Sequence, residues 1–406
     1  MDLEKIKNSI KPDEKAVWKK ANDFLKKINN SIKKNKINAE AVVGGSLAKG
    51  TFLKGDHDID IYVKFSKKYE TEKLSDLLEK ILKPLKPERV HGSRDYFIKA
   101  IGNMKYEIIP VYDVKDATEI VNITDASILH FKWLDKQARK NPKIRDEIRL
   151  AKAFCKSAGI YGAESYIKGF SGHVLDIVTV YYGSFIDLIK NAAKWRKKQV
   201  IDFYNVYKGN ALKELNKSKI QSPLIVIDPV QPERNAAAAL SDEMFFKFIE
   251  KAKAFLKKPS EKFFSREEFS VKKIKKKNTI IIEIKPLSGK KDVVGSKLLK
   301  ALEEIRDCLE KNGFEVNDYG WHWNKIAYFW FRMKKMKIPR KYVHEGPPLK
   351  AKKNVEQFKK KYKDTFVRGE RIYANVERKL TNAKEMIKSA LKIDYIAKNF
   401  KSAKII

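Results

Sequence analysis

The run from Gly44 to Asp60 constrains this chain more than any other. It opens on Gly44-Gly45-Ser46, continues through Leu47-Ala48-Lys49, and after Gly55 enters Asp58-Ile59-Asp60-Ile61-Tyr62-Val63-Lys64-Phe65. Polar and apolar residues alternate strictly there, which predicts a half-buried strand. On such a strand Ile59, Ile61 and Val63 pack on one face, so Asp58 and Asp60 project together from the other. Gly45 and Gly50 have the spacing of a phosphate-binding P-loop, but Thr51 follows where Gly-Lys-Thr is required, so that motif is excluded.

The chemistry of the run points to a nucleotide. A Gly-Gly-Ser turn at a helix start offers unhindered amides and the Ser46 hydroxyl to a phosphate, with Lys49 one turn on to meet a triphosphate. Two carboxylates at strand spacing repel unless a divalent cation sits between them, and oxygen-only ligands beside a triphosphate indicate Mg²⁺. An Asp-x-Asp pair alone reads as a solvated strand face. The Gly-Ser turn upstream shifts the balance to a metal-assisted site.

Around that run the pattern is mixed α and β. Leu3, Ile6, Ile10, Val17, Trp18, Phe24 and Ile28 recur at a helical period and predict one or two helices over 3–36. Helix is expected over 66–86, then a hairpin of 96–101 and 106–111 about Gly102-Asn103. Beyond about residue 125, helical patterns cover 126–141, 144–158 and 173–197, with a short strand at 224–227. Strand, helix and two strands are expected at 279–284, 293–312, 314–318 and 326–333, and 353–400 reads as basic and helical. No internal repeat of 20–50 residues is present.

Composition bounds the partners. Lys and Arg number 88 against 51 Asp and Glu, a formal charge of +37, on a chain that is 43% hydrophobic and so able to build cores. Such a charge calls for a polyanion, nucleic acid ahead of a membrane surface. Lysine outnumbers arginine about five to one, and lysine used as surface filler would give the same total. No segment approaches the ~18 apolar residues of a membrane span, and the start has no secretory pattern. Cys155 and Cys308 lie far apart in apolar patterns, which excludes a zinc site or disulfide scaffold and makes the cytoplasm the expected location.

Gly-Gly-Ser followed by Asp-x-Asp resembles the DNA-polymerase-β-like nucleotidyltransferase superfamily. That resemblance implies a third carboxylate from a neighbouring strand. Glu107, three residues before Pro110 in the hairpin, is the first candidate, ahead of Asp95 and Asp113. Further motifs narrow the likeness. They are Ser127-Ile128-Leu129-His130-Phe131-Lys132-Trp133-Leu134, Glu147-Ile148-Arg149-Leu150-Ala151-Lys152, Gly159-Ile160-Tyr161-Gly162-Ala163-Glu164, Lys168-Gly169-Phe170-Ser171-Gly172, Tyr182-Gly183-Ser184-Phe185, Asp228-Pro229-Val230 with Arg234-Asn235, and His344-Glu345-Gly346-Pro347-Pro348. In order and spacing they are similar to those of the archaeal, class I CCA-adding enzymes, over almost the whole chain.

The resemblance implies an α+β multidomain protein with a polymerase-β-like nucleotidyltransferase head (1–125), a helical neck (126–215), an α/β body (216–260 with 353–406) and an RRM-like β-α-β-β tail (261–352). It implies template-independent addition of cytidine, cytidine and adenosine to tRNA 3′ ends from CTP and ATP. Gly45, Ser46 and Lys49 would hold the triphosphate, and Asp58, Asp60 and Glu107 two Mg²⁺ ions. Ser127, His130, Lys152 and Tyr161 would contact ribose and phosphates, and Arg234 would read the base edge. A guanidinium fork can bridge acceptors shared by cytosine and adenine, where uracil and guanine present N–H groups. The tail's aromatics and lysines would grip the acceptor stem and T-arm; a homodimer is left open.

Two features depart from the family pattern. Glu107 stands where Asp is usual, and His91-Gly92-Ser93-Arg94 replaces a Glu-His-Pro-Tyr loop implicated in the C-to-A switch. The rival expectations are a poly(A)- or poly(U)-type RNA terminal nucleotidyltransferase, and an RNA-binding protein with a degenerate catalytic head.

Overall fold

The computed structural model describes residues 1–265 and 268–406, so residues 266 and 267, within the tail expected from sequence, lie outside the described residues. The chain divides into two compact units, Met1–Glu267 and Glu268–Ile406.

The first unit begins with two helices, α1 (Leu3–Ile10) and α2 (Glu14–Lys34), separated at Pro12. Asp2 and Asp13 cap them by accepting hydrogen bonds from backbone amides of the first turn. A five-stranded sheet follows: β1 (Ala39–Val43), β2 (Asp58–Phe65), β3 (Glu88–Val90), β4 (Tyr96–Ile101) and β5 (Met104–Tyr112), in the order β1-β2-β5-β4-β3. Only the β2–β5 pair is parallel within it. Ile59, Ile61, Val63 and Phe65 of β2 are wholly buried against α2 and a later helix, α4 (Leu74–Leu82), each contributing ~1.5–3 kcal/mol of apolar burial. Between β1 and β2 lies the single turn α3 (Gly45–Ala48). The helix expected over 66–86 is regular only in α4, because short 3₁₀ turns flank it and Pro84 sits in the second of them.

The helical layer comprises α5 (Ala126–Lys140), α6 (Ile144–Ser157), α7 (Gly172–Tyr182) and α8 (Phe185–Ala192). The single helix expected over 173–197 is thus two. Gly183 takes a left-handed φ of 83° and ends α7, and the Ser184 hydroxyl caps α8 by accepting from the Asp187 amide. Strands Gln199–Ile201 and Leu224–Val226 pair in parallel, and helix Asp242–Lys257 joins the same core as α8.

In the second unit, four antiparallel strands stand in the order Ser402–Ile405, Thr279–Lys285, Ala327–Met333, Val316–Trp323, with helix Lys291–Lys311 in the core on one face. A three-stranded sheet of Lys341–Pro348, Arg371–Glu377 and Thr365–Arg368 carries helix Lys352–Lys361. The reading of 353–400 as helical is therefore corrected. Thr365–Arg368 and Arg371–Glu377 form a hairpin about Gly369 (φ 60°), and the lysines around them hid their two-residue alternation. The grouping of 216–260 with 353–406 is corrected too. The first stretch falls in the first unit, whereas Ser402–Ile405 hydrogen-bonds along Thr279–Lys285 in the second.

Candidate active site

The cleft starts from a glycine. Gly45 has φ 55°, and a Cβ there would lie 1.6 Å from Asp60 Oδ2, so only glycine brings α3 this close to the second carboxylate. The Gly44 amide donates to the Asp60 carbonyl at 2.8 Å, fixing the turn over β2. Two arginines of α6 hold the chain between that turn and β2. Arg145 Nε donates to the Lys49 carbonyl at 3.0 Å and Arg149 Nε to that of Phe52 at 3.2 Å.

The parallel register sets Asp60 opposite Glu107 and Asp58 opposite Lys105. Lys105 Nζ bonds Glu107 Oε1 and lies 3.7 Å from Asp58 Oδ1, a cation that sequence pattern alone does not single out. Burial pushes the Asp60 carboxyl up to about 6, and the neighbouring charges of Glu107 and Asp58 add to the shift, with Lys49 and Lys105 opposing it. Burial and the two like charges beside Asp60 are what a divalent cation would relieve, so the charge and oxygen donors of Asp58, Asp60 and Glu107 suit a metal. Asp95 and Asp113 do not join them. Asp95 is taken by Arg89 at 3.0 Å, and Asp113 faces Lys64 beyond the other end of β5.

Opposite the carboxylates, Lys49 and Lys152 converge on Asp176 at 2.8 and 3.3 Å. Lys152 also donates to Thr51 Oγ1 at 2.6 Å. Burial lowers the Lys152 ammonium, and Asp176 resists that shift. Tyr161 lies alongside, its hydroxyl near the Cα of Gly172 at the start of α7, and Lys156 sits 4.9 Å from its ring centroid while pairing with Asp56. Gly45, Ser46, Lys49, Asp58, Asp60, Lys152 and Tyr161 thus line one cleft of about 300 Å³. Asp56, Lys156, His173 and Asp176 line it too, and no sequence argument selects them. A charged residue inside the otherwise apolar Val174–Val178 is the signal that could have found Asp176.

Ser127 and the Gly45 backbone both lie beside the Tyr62 hydroxyl, which brings the start of α5 up to the glycine turn. One turn on, His130 Nε2 donates to Asp228 at 3.0 Å, Arg234 Nη1 donates to the same carboxylate at 3.0 Å, and His173 Nε2 lies 3.3 Å from it. The two imidazoles stack at 3.8 Å. Burial holds both below the ordinary imidazole range, His173 down to about 3. Among the described residues, His130, His173 and Asp228 have ligand atoms within 4.8 Å of one another, but the guanidinium on the same carboxylate already supplies its counter-charge. Arg94, from the departing loop, is buried and pairs with Asp125 at 2.6 Å, one residue before α5.

A glycine-serine turn over a carboxylate strand, inside this sheet order, defines a nucleotidyltransferase of the polymerase-β-like class, and residues 25–129 match the family model described as nucleotidyltransferase domain. Residues 146–265 match the tRNA nucleotidyltransferase second domain and 278–402 the CCA-adding enzyme C-terminal domain. The CCA-adding enzyme of Methanocaldococcus jannaschii is 32% identical over 95% of this chain and 89% of its own length. That of Nanoarchaeum equitans is 34% identical over 90% of each. The chain belongs to the CCA-adding enzymes. In fold alone, it is similar to a cytoplasmic RNA terminal U-transferase (TM-score 0.53, 13% identity, 66% of this chain and 98% of that one) and to the Cid1 poly(U) polymerase (0.52, 14%, 65% and 98%).

Proposed function

We propose that this chain adds cytidine, cytidine and adenosine in turn to the 3′ end of tRNA, using CTP and ATP and releasing pyrophosphate. The observation that carries the reading is the cleft itself, which Asp58 and Asp60 line together with Lys49 and Lys152, while the parallel register sets Glu107 opposite Asp60. Asp58, Asp60 and Glu107 would hold two Mg²⁺ ions, which when bound supply activation of the primer hydroxyl and stabilisation of the leaving pyrophosphate. Lys49, Lys152 and Lys156 neutralise the triphosphate, and Asp176 keeps the first two extended toward it. Ser46 and the Gly45 amide hold phosphate oxygens, and Ser127, His130 and Tyr161 position ribose and phosphates. Arg234 reads the base edge. No side chain acts as a covalent nucleophile.

In the same reading residues 126–215 form a neck and residues 261–352 an RRM-like tail that grips the acceptor stem and T-arm. Its sheet supports a limited aromatic role. Phe329 and Phe331 are wholly buried core, whereas Tyr328, Trp330 and His322 each stack on Phe269 on the opposite face. Among the described residues no helix is long and apolar enough to cross a membrane, and two unpaired cysteines suit a reducing cytoplasm. A homodimer remains part of the proposal to be weighed by mass measurement.

The test supplies labelled CTP, then ATP, to tRNAs truncated by one, two and three nucleotides. Addition stopping at CCA supports the reading, whereas long A or U tails, or tailing of arbitrary RNA, overturn it in favour of a terminal polymerase. Asp58→Ala and Asp60→Ala should abolish addition and leave tRNA binding intact. A wild type that adds nothing across Mg²⁺ and Mn²⁺ concentrations would instead make it an RNA-binding protein.

A further inference from the structure

We infer that Asp228 is a specificity-determining positioning residue, the anchor that orients the guanidinium of Arg234 against the incoming base. The inference rests on the reading of Arg234 as the base reader. Asp228 is wholly buried, two residues beyond the buried strand Leu224–Val226. Its Oδ1 accepts from the Val230 amide at 2.9 Å and the Gln231 amide at 3.3 Å, which fixes the carboxylate plane. Its Oδ2 takes Arg234 Nη1 at 3.0 Å, with His130 Nε2 at 3.0 Å and His173 Nε2 at 3.3 Å.

Each contact has a consequence for the fork. Arg234 is long and about a third exposed at its side chain, and the side-chain hydrogen bond that holds it is the one to Asp228. One donor spent on a fixed carboxylate leaves the other guanidinium N–H groups aimed in a set direction. The stacked His130 and His173 rings both bring a nitrogen to the same Oδ2, which the guanidinium therefore shares with them. Burial disfavours a charge on both rings, and the Arg234 guanidinium is the fixed cation on the Asp228 carboxylate. Discrimination between bases by hydrogen bonds depends on leaving a wrong base's groups unpaired, which a swinging donor fork cannot do.

The experiment measures kcat and KM for CTP and for UTP on a tRNA lacking its last two nucleotides, with wild type, Asp228→Asn, Arg234→Ala and the double variant. Asparagine keeps an oxygen for the Val230 and Gln231 amides while losing the charge that holds Arg234. The expected result is a drop of ~10-fold or more in CTP-over-UTP preference for Asp228→Asn, carried mainly by KM, with no further drop when it is added to Arg234→Ala. Unchanged preference in Asp228→Asn beside a lost preference in Arg234→Ala overturns the inference and leaves the base reader standing. Independent losses that multiply in the double variant overturn it as well. Unchanged preference in Arg234→Ala sinks the base-reading assignment itself, and the inference with it. Should Asp228→Asn fail to fold, Asp228→Glu keeps the charge and moves it by one methylene. The same loss of preference is expected there, and wild-type preference would overturn the inference.

Discussion

Lys49 Nζ lies 2.8 Å from Oδ2 of Asp176, a buried carboxylate on the largely apolar helix α7 that also faces Lys152 at 3.3 Å. One buried negative charge thus restrains two lysines of the cleft at once. Removing it leaves two cations in a low-dielectric wall, the arrangement in which a broken buried pair costs most.

Asp176→Asn is therefore expected to destabilise the free protein by ~3–5 kcal/mol in chemical denaturation. CTP or ATP should restore more stability to this variant than to wild type, because the triphosphate then supplies the missing charge. A variant as stable as wild type without nucleotide would contradict this role for Asp176.

Gly45→Ala places a Cβ where Asp60 Oδ2 now is, on a backbone with φ 55°. The strain should cost ~1–2 kcal/mol of stability. Displacement of the carboxylate should lower nucleotide addition at least ~10²-fold, since misplacement by an ångström has effects of that size. Single-turnover rates on truncated tRNA measure it, and activity within a few-fold of wild type would show that the close approach is dispensable.

His173 is held down to about 3 from 6.5 by burial, with the neighbouring His130 charge adding and Asp228 opposing. The folded protein keeps this imidazole neutral where the unfolded chain has taken a proton. Its contribution to stability is thus complete above about pH 6.5 and declines as pH falls between those two values, by up to ~1.4 kcal/mol per pH unit. His173→Asn should flatten that part of the stability–pH curve relative to wild type. Parallel curves for the two proteins would refute the prediction.

If the +37 charge serves tRNA, binding should weaken by ~0.7–0.9 log units per phosphate contact per decade of salt. CTP binding at the lysine wall should respond far less. Filter binding across salt concentrations separates the two, and a salt-independent tRNA affinity would mark most of the lysines as surface filler.

Local pattern carried the head. Alternation from Asp58 to Phe65 needed no tertiary information, because each buried residue of that strand alternates with a polar one. Lys105 and Asp176 were not legible. The first looks like an ordinary strand lysine until the parallel register sets it opposite Asp58, and the second gains meaning only from Lys49, far away in sequence. Asp228 stood in a quoted motif, but its role depends on His130 and Arg234 arriving from separate elements. The misread 353–400 shows the converse. Alternation was present at Arg371–Glu377, and basic residues throughout the region outweighed it.

The parallel pairing of β2 with β5 also has a kinetic meaning. Asp60 and Glu107 come from strands joined by a long crossover, so their meeting waits on closure of a large loop, and like charge opposes the approach. Recovery of nucleotide addition during refolding would therefore clock the closing of that crossover, and divalent cations in the refolding buffer should hasten it.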